Sequence, residues 1–418
     1  MNLKNIFPTL VALFAGCCFG QVPGKFQGQG AIKGVPTESR PVQRQWKGVF
    51  SFSPGDVFFD NNMEGGRLNG VTRHNDSTFS ILITSENTPV NESPWYAFKA
   101  WSTHPKNIII ALTYQQGVRH RYNPKISKNG SDWVSLDKDT TKDFERDSLS
   151  FEYRFHLHLS KDTTWVAAQE LYGSRQMAEW INKIKTQTDV KVSTIGQREL
   201  DKPLSLLQLG NAASLNRILI IGRQHPPEVT GQFALQAFIE RIAGDDSLAK
   251  SFRRKFLVYL MPFMNPDGVA EGFWRHNAGG IDLNRDWSAF HQPETRAVRD
   301  FLSKQIDGNK NKLWFALDFH STYDDIFYVV DPKLKGLLPG FVPAWLNQLQ
   351  KRIPGYTPNI KPLYSDGPTF TSFSYLFKTY GTEALVYEIG DKTSRSFIQQ
   401  KSAVAATALM EMLLQQVN

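Results

Sequence analysis

Residues 218–228 read Ile-Leu-Ile-Ile-Gly-Arg-Gln-His-Pro-Pro-Glu, an apolar run followed by a short polar segment. An uninterrupted apolar run of this length is typical of a strand that is buried on both faces. The paired prolines exclude the interior of a helix, so the polar segment is predicted to be a loop. A helical pattern follows and ends near Gly244, and its apolar residues share one face: Leu235, Phe238, Ile239 and Ile242. This order of strand, loop and helix is typical of α/β sheets.

Similar apolar runs recur along the rest of the chain, at residues 256–262, 314–320 and 384–388, and they alternate with helical segments. We therefore predict an α/β domain over residues 165–418, with a mostly parallel or mixed sheet and helices on both faces. Ligands of such sheets bind beyond the carboxyl ends of the strands. Polar residues that directly follow an apolar run are therefore the first candidates for function.

Residues 46–164 show a different pattern. Short apolar runs alternate with turn signals, as in Val-Phe-Ser-Phe at 49–52 and Phe-Ser-Ile-Leu-Ile at 79–83. Runs of this length and spacing predict an antiparallel β-sandwich domain that precedes the α/β domain. Residues 21–45 are rich in Gly, Gln and Pro and have no apolar period, so we expect a flexible lead-in there.

The first 20 residues are similar to a secretory signal peptide, because Lys4 precedes a mostly apolar run and small residues follow it. We expect a secreted or periplasmic protein. The alternative is an envelope lipoprotein anchored at Cys17, since Phe-Ala-Gly-Cys at 14–17 resembles a lipobox. No later segment has 18 uninterrupted apolar residues, and we expect no membrane span.

Composition excludes several classes of protein. The chain has 418 residues, of which 41% are hydrophobic and 21% charged, and these values exclude a minimal scaffold and wholesale disorder. The net charge of +8 is modest and is not concentrated in a basic block, so we expect no nucleic-acid partner. Both cysteines, Cys17 and Cys18, lie in the predicted signal peptide. The rest of the chain therefore has no disulfide framework and no thiolate metal site.

Three of the apolar runs are followed by, or end in, residues that suit a metal site. His225 and Glu228 follow the first run, His320 ends another, and Glu388 ends the last. Imidazoles and a carboxylate suit Zn²⁺, and a further glutamate beside the metal could act as a general base on bound water. Taken singly, these residues also allow plainer interpretations: a salt bridge in the loop and a hydrogen-bonded histidine in the core.

Two further motifs lie between these positions, Asn-Pro-Asp-Gly at 265–268 and Asp-Leu-Asn-Arg at 282–285. With His-x-x-Glu, the strand-terminal histidine and the late glutamate, they follow the order found in zinc metallocarboxypeptidases, and the chain resembles that family. It is most similar to the cytosolic carboxypeptidase-like branch, which has an N-terminal β-sandwich domain. Phe-Asp-Asn-Asn-Met-Glu-Gly-Gly at 59–66 is similar to part of that N-terminal module. The resemblance implies one Zn²⁺ per chain.

The resemblance also implies roles for single residues. It gives three zinc ligands: His225, Glu228 and His320. Glu388 is similar in position to the residue that activates the metal-bound water. Arg275 is similar in position to the arginine that polarises the scissile carbonyl, a task that suits a permanent cation in a dry site.

Substrate binding is implied at three further positions. Asn284 and Arg285 match the pair that holds the terminal carboxylate of the substrate, where a guanidinium fork fits two oxygens. Tyr364 matches the tyrosine that covers the substrate, with Tyr375 and Tyr380 as alternatives.

The activity implied by the resemblance is that of a zinc metallocarboxypeptidase, a peptide hydrolase acting on the C-termini of peptides or proteins. It would cut a C-terminal peptide or isopeptide-like bond. One alternative keeps this chemistry and changes the substrate to the stem peptides of the bacterial cell wall. The other is a catalytically silent protein whose sandwich binds glycans or protein partners.

Overall fold

The computed structural model describes residues 26–29, 36–53, 56–136, 141–147, 150–196, 202–307, 310–364 and 371–417. The predicted signal peptide, with Cys17, and parts of the predicted lead-in lie outside the described residues. The domain boundaries given above remain predictions.

The N-terminal region forms two β-sheets that pack face to face. Their strand orders are β1-β2-β5-β11-β7-β8 and β3-β4-β6-β10-β9. The strands are β1 (Val49–Phe52), β2 (Val57–Asp60), β3 (Gly70–Arg73), β4 (Thr78–Ile83), β5 (Ala97–Ser102), β6 (Lys106–Tyr114), β7 (Lys125–Ser127), β8 (Val134–Ser135), β9 (Thr141–Asp147), β10 (Ser150–Leu159) and β11 (Thr164–Ala167). Neighbouring strands are antiparallel except β4 and β6, which pair in parallel. The inner faces meet through aromatic rings, with the centroids of Phe59 and Phe79 5.3 Å apart.

The C-terminal region is a mixed sheet covered by helices, as the sequence predicts. The strand order is β12-β13-β15-β14-β16-β19-β17-β18, and the central strands β15, β14, β16 and β19 are parallel. The strands are β12 (Val190–Ile195), β13 (Leu204–Gly210), β14 (Asn216–Gly222), β15 (Phe256–Met261), β16 (Lys312–Thr322), β17 (Ile326–Val330), β18 (Ile360–Tyr364) and β19 (Glu383–Gly390). The helices are α1 (Ser174–Gln187), α2 (Val229–Ile242), α3 (Ser247–Lys255), α4 (Pro266–Glu271), α5 (Pro293–Gln305), α6 (Phe341–Arg352), α7 (Ser372–Tyr380) and α8 (Arg395–Gln416).

Helices cover both faces of this sheet because side chains alternate along its buried strands. One face packs against α2, α3, α6 and α8, and the other against α5 and α7. The apolar core of the first face continues into the interior of the sandwich, so the two regions share one hydrophobic core. Among the helices of the described ranges, none has the length and apolar character needed to cross a membrane.

Candidate metal centre and active site

The candidate site lies at the carboxyl ends of β14, β16 and β19. The chain leaves β14 through α2 and α3 to reach β15 on one side, and later returns to β16 on the other side. Such a reversal of direction opens a crevice at the strand ends, where α/β sheets bind ligands. His225 and Glu228 follow β14, and His320 lies near the end of β16.

His225, Glu228 and His320 converge on one point. One ligand atom of each residue lies within 4.8 Å of the others, and all three residues are buried. Glu228 Oε1 is 2.8 Å from His225 Nδ1, and Glu228 Oε2 is 2.8 Å from His320 Nδ1. The two Nδ1 atoms are 3.2 Å apart. Two imidazoles and a carboxylate in this arrangement fit a catalytic zinc site, which uses three protein ligands and leaves a position open.

Each histidine turns its other ring nitrogen toward a buried carboxylate. His225 Nε2 is 2.9 Å from Asp282 Oδ1, and His320 Nε2 is 3.0 Å from Asp318 Oδ2. Asp318 Oδ2 also accepts hydrogen bonds from Gln224 Nε2, at 2.6 Å, and from the Ser372 hydroxyl. Carboxylates in this position fix the orientation of a metal-binding imidazole and make it a better ligand. The histidines are therefore held with Nδ1 directed at the centre.

The local backbone explains why the loop after β14 reaches β16. Arg223 has a φ of 57°, a left-handed conformation that costs a non-glycine residue about 1–3 kcal/mol. Its buried guanidinium closes the loop, with Nε donating to the Pro226 carbonyl at 2.9 Å. In the first turn of α2, a Cβ on Gly231 would lie 2.4 Å from the His320 carbonyl oxygen. Glycine there lets α2 approach β16 closely, so that Glu228 and His320 can meet.

The ligand cluster is strongly coupled electrostatically. Burial alone would raise the pKa of Glu228, but His225 and His320 lower it well below its usual range through their charges and hydrogen bonds. Burial alone would lower the pKa of His320, but the carboxylates of Asp318 and Glu228 raise it well above its usual value. A divalent cation at this centre would need all three ligands in their deprotonated forms, so its binding is expected to depend on pH.

Glu388 faces the same centre from β19. It is the register partner of His320, so both side chains project from the same face of the sheet. Its Oε2 is buried and has no hydrogen-bond partner among the residues described. Burial, followed by the charge of Glu228, raises the pKa of Glu388 to about 8, against the opposing charges of His320, Arg121 and Arg275. A bound metal ion would lower this pKa, because it adds positive charge beside the carboxylate.

Arg275 is joined to the ligand cluster through Asp282. The Arg275 Nε donates to Asp282 Oδ2 at 2.7 Å, and the other oxygen of Asp282 contacts His225. Burial alone would raise the pKa of Asp282, but Arg275 and His225 lower it well below its usual value. Within the described part of the chain, the two terminal nitrogens of Arg275 have no acceptor, so they remain available to a ligand.

Asn284 and Arg285 lie on a short 3₁₀ helix, Leu283–Arg285, beside the second histidine. Asn284 Oδ1 accepts a hydrogen bond from the Ser372 backbone at 3.0 Å, and its Nδ2 is 3.4 Å from His320 Nε2. The half-buried Arg285 is oriented by a 2.8 Å hydrogen bond from Nη1 to the Asn284 carbonyl. Burial lowers the pKa of Arg285, although a guanidinium stays charged in proteins.

Tyr364 lies on the edge strand of the mixed sheet. It ends β18 and is buried, with its ring centroid 5.7 Å from that of Phe377 in the core that lies against α5 and α7. The following residues, 365–370, are not among those described. The contacts described above link the other predicted site residues to one another, and the roles of all of them, including that of Tyr364, remain predictions.

Residues that the sequence did not single out also reach the site. Glu86, from the loop after β4, accepts hydrogen bonds from the backbone on both sides of Arg275. Arg121, from the loop after β6, donates through Nε to Asp391 Oδ2 at 2.7 Å, three residues beyond Glu388. Both residues come from the sandwich region and stand in no recognisable motif. Only the packing of the sandwich against the sheet brings them to the site.

Residues 177–412 match the family model of the zinc carboxypeptidases. This match covers more than half of the chain, and the protein belongs to the zinc carboxypeptidase family. Members of the family depend on zinc, and His225, Glu228 and His320 offer a donor set that fits this ion.

Several curated proteins are similar to the chain. Human cytosolic carboxypeptidase 6 is 29% identical over 288 residues, which cover 64% of this chain and 57% of that protein. Bovine cytosolic carboxypeptidase 3 is 22% identical over 303 residues, covering 65% of this chain and 30% of that protein. An uncharacterised protein of Zymomonas mobilis is 24% identical over 267 residues, which cover 62% of this chain and 65% of that protein. The chain thus matches about two thirds or less of the length of these relatives.

Solved structures show the same fold over most of the chain. The metallo-carboxypeptidase of Burkholderia cenocepacia superposes with a TM-score of 0.70 at 19% identity, over 86% of this chain and 99% of that one. The metallo-carboxypeptidase of Pseudomonas aeruginosa, solved with (2-guanidinoethylmercapto)succinic acid, superposes with a TM-score of 0.69 at 19% identity. The match covers 86% of this chain and 100% of that one. The combination of a β-sandwich and an α/β sheet therefore recurs in these structures.

Proposed function

We propose that the protein is a zinc metallocarboxypeptidase that hydrolyses the peptide or isopeptide-like bond before a C-terminal residue. The observation that carries this proposal is the position of Glu388 beside the metal centre. A buried carboxylate oxygen, which has no hydrogen-bond partner in the described part of the chain, lies next to three residues that can hold Zn²⁺. An acid with no structural hydrogen bonds at this oxygen is free to take up a proton from water.

In this proposal, different residues of the chain have different roles in hydrolysis. When bound, zinc would supply a Lewis acid that polarises the scissile carbonyl and makes water a stronger acid. Glu388 would accept the proton of the attacking water and pass it to the leaving amine. Arg275, held by Asp282, would direct its free terminal nitrogens at the developing oxyanion, where a fixed cation in a buried site is most effective.

Selection of a C-terminus would depend on Arg285 and Asn284. Arg285 is fixed to the Asn284 backbone, and Asn284 is fixed by Ser372. A guanidinium held in this way can bind both oxygens of a terminal carboxylate, whereas a neutral amide offers it only one acceptor. The site would therefore act as an exopeptidase.

Arg285→Ala is expected to remove most of the preference for free over amidated C-termini. The variant loses the ion pair with a free terminal carboxylate, whereas an amidated end forms no such pair in either protein. We expect kcat/KM for a free carboxylate to fall by about 100-fold, the cost of 2–3 kcal/mol for a charged hydrogen-bonded partner. The assay compares matched peptides with free and amidated ends in the wild type and the variant. Arg175→Ala is the control, since Arg175 lies on α1 with its side chain 59% exposed. An unchanged preference in the Arg285 variant would contradict exopeptidase action.

A random peptide library and purified muropeptides would identify the substrate. Release of single C-terminal residues from the library supports the proposal. Turnover of muropeptides alone would replace it with a hydrolase of cell-wall stem peptides. No turnover of either by zinc-loaded protein would overturn both.

We further propose that the protein is secreted or periplasmic, on the basis of the signal-like residues 1–20. The expected mature protein starts after residue 20 and carries no lipid. Mass spectrometry of protein purified from its native host tests this proposal, because acylation at Cys17 would add a lipid to the first residue and show an anchored protein instead.

A further inference from the structure

Glu86 is a fully buried acid of the sandwich region, and its carboxylate contacts the segment that carries Arg275. It lies three residues beyond β4 and is 0% exposed. Its Oε2 accepts from the Trp274 backbone N–H at 2.7 Å, and its Oε1 accepts from the backbone N–H groups of Arg275 and His276 at 3.1 and 2.9 Å. One carboxylate thus holds three consecutive peptide units, and Arg275 is the middle one.

The imidazole of His276 completes this arrangement. Its Nδ1 is 2.7 Å from Glu86 Oε1, and its Nε2 is 3.1 Å from the Pro89 carbonyl oxygen. Because a carbonyl oxygen only accepts, Nε2 carries a proton. Burial alone would raise the pKa of Glu86, but the hydrogen bond and charge of His276 and the charge of Arg67 lower it to about 2. Glu86 is therefore an anion over the physiological pH range, with four hydrogen bonds that fix its position.

Arg275 is consequently fixed at both ends. Glu86 holds its backbone, and Asp282 holds its side chain through Nε at 2.7 Å. The indole of the preceding residue, Trp274, also donates to the Trp95 carbonyl of the sandwich region at 3.1 Å. Among the described residues, the terminal nitrogens of the arginine have no acceptor, and they are left for a ligand. Donors that are fixed before the reaction stabilise developing charge best, because no reorganisation is needed when the charge forms.

We propose that Glu86 is a positioning residue for Arg275, supplied to the hydrolytic site by the sandwich region. This inference rests on the proposed function, in which Arg275 stabilises the oxyanion. In the described ranges, the hydrogen bonds of the Glu86 side chain go to Trp274, Arg275 and His276 and to none of the three metal ligands. Glu86 acts by fixing the peptide units from which the arginine extends, so the sandwich region is part of the catalytic apparatus.

Glu86→Gln tests the proposal. The amide keeps the size of the side chain, but its NH₂ group replaces one of the two acceptor oxygens and places a donor against a backbone N–H donor. We expect kcat to fall by about 10- to 100-fold, as for a misplacement of about 1 Å in a catalytic group. KM is expected to stay within about twofold, since Arg285 and Asn284 are not affected, and zinc is expected to stay at one per chain. Glu152→Gln is the matched control, a buried acid of the same sandwich, 3% exposed, for which we expect the wild-type kcat.

The decisive readout is a double-mutant cycle with Arg275→Ala. If Glu86 acts through Arg275, adding Glu86→Gln to the Arg275 variant should lower kcat by less than about twofold. The same loss in both backgrounds would overturn the proposal, as would an unchanged kcat in the single variant. If Glu86→Gln does not fold, Glu86→Asp takes its place under the same criteria. Wild-type turnover is measured first, so that failure of the proposed function is distinguished from failure of this inference.

Discussion

Glu388→Gln is expected to bind one zinc per chain and to lose kcat by about 10³-fold, within the range found for removal of a general base. The amide has nearly the shape of the acid but cannot accept a proton from water. Zinc should stay because Glu388 is not one of the clustered ligands, which are His225, Glu228 and His320. Metal analysis and steady-state kinetics on the same preparation measure both quantities.

The control for this variant is Glu383→Gln, at the start of the same strand. Glu383 is a buried acid whose carboxylate accepts from the Leu338 backbone at 2.9 Å and lies outside the site. We expect the control to retain wild-type kcat. Loss of zinc from the Glu388 variant would show that Glu388 is a zinc ligand. Retention of the full kcat would show that Glu388 takes no part in the reaction. Either result would contradict the role proposed for it.

His320→Ala is expected to abolish stoichiometric zinc binding and, with it, turnover. His320 supplies one of three protein ligands, and its removal should weaken zinc binding by more than the 10- to 100-fold that follows loss of an outer partner of a ligand. It also removes the imidazole that lies between the buried carboxylates of Asp318 and Glu228 and contacts both of them. The affinity is measured by competition with a chelator of known zinc affinity.

His291→Ala is the matched control, because His291 is exposed and its ring contacts only the hydroxyl of Thr37, at 2.8 Å, among the residues described. Zinc content and turnover should match those of the wild type. A folded His320 variant that retains tightly bound zinc and full turnover would contradict the assigned ligand set.

The α/β fold could be predicted because its strands are continuous apolar runs. Residues 218–222 form most of β14, and residues 384–388 lie within β19. Such buried strands can be recognised although their apolar and polar residues do not alternate. The sandwich was predicted from shorter runs, but the parallel pairing of β4 with β6 was not. Pairing between strands that are not joined by a hairpin depends on how the sheets pack, and that information is not local in the sequence.

The candidate site was predictable to the extent that its residues directly follow strands or form motifs. His225, Glu228, His320 and Glu388 meet because the carboxyl ends of β14, β16 and β19 meet. Glu86 could not be found in this way, since it lies in a loop of the sandwich and contacts a segment 188 residues further along the chain. Its role depends on the packing of one region against another.

The anomalous scattering of a crystal of the zinc-loaded protein, measured on both sides of the zinc absorption edge, tests the central claim most directly. The metal centre described here predicts a single strong peak at about 2.0–2.2 Å from Nδ1 of His225, a carboxylate oxygen of Glu228 and Nδ1 of His320. A zinc peak elsewhere in the protein, or no peak between these three side chains, would contradict it.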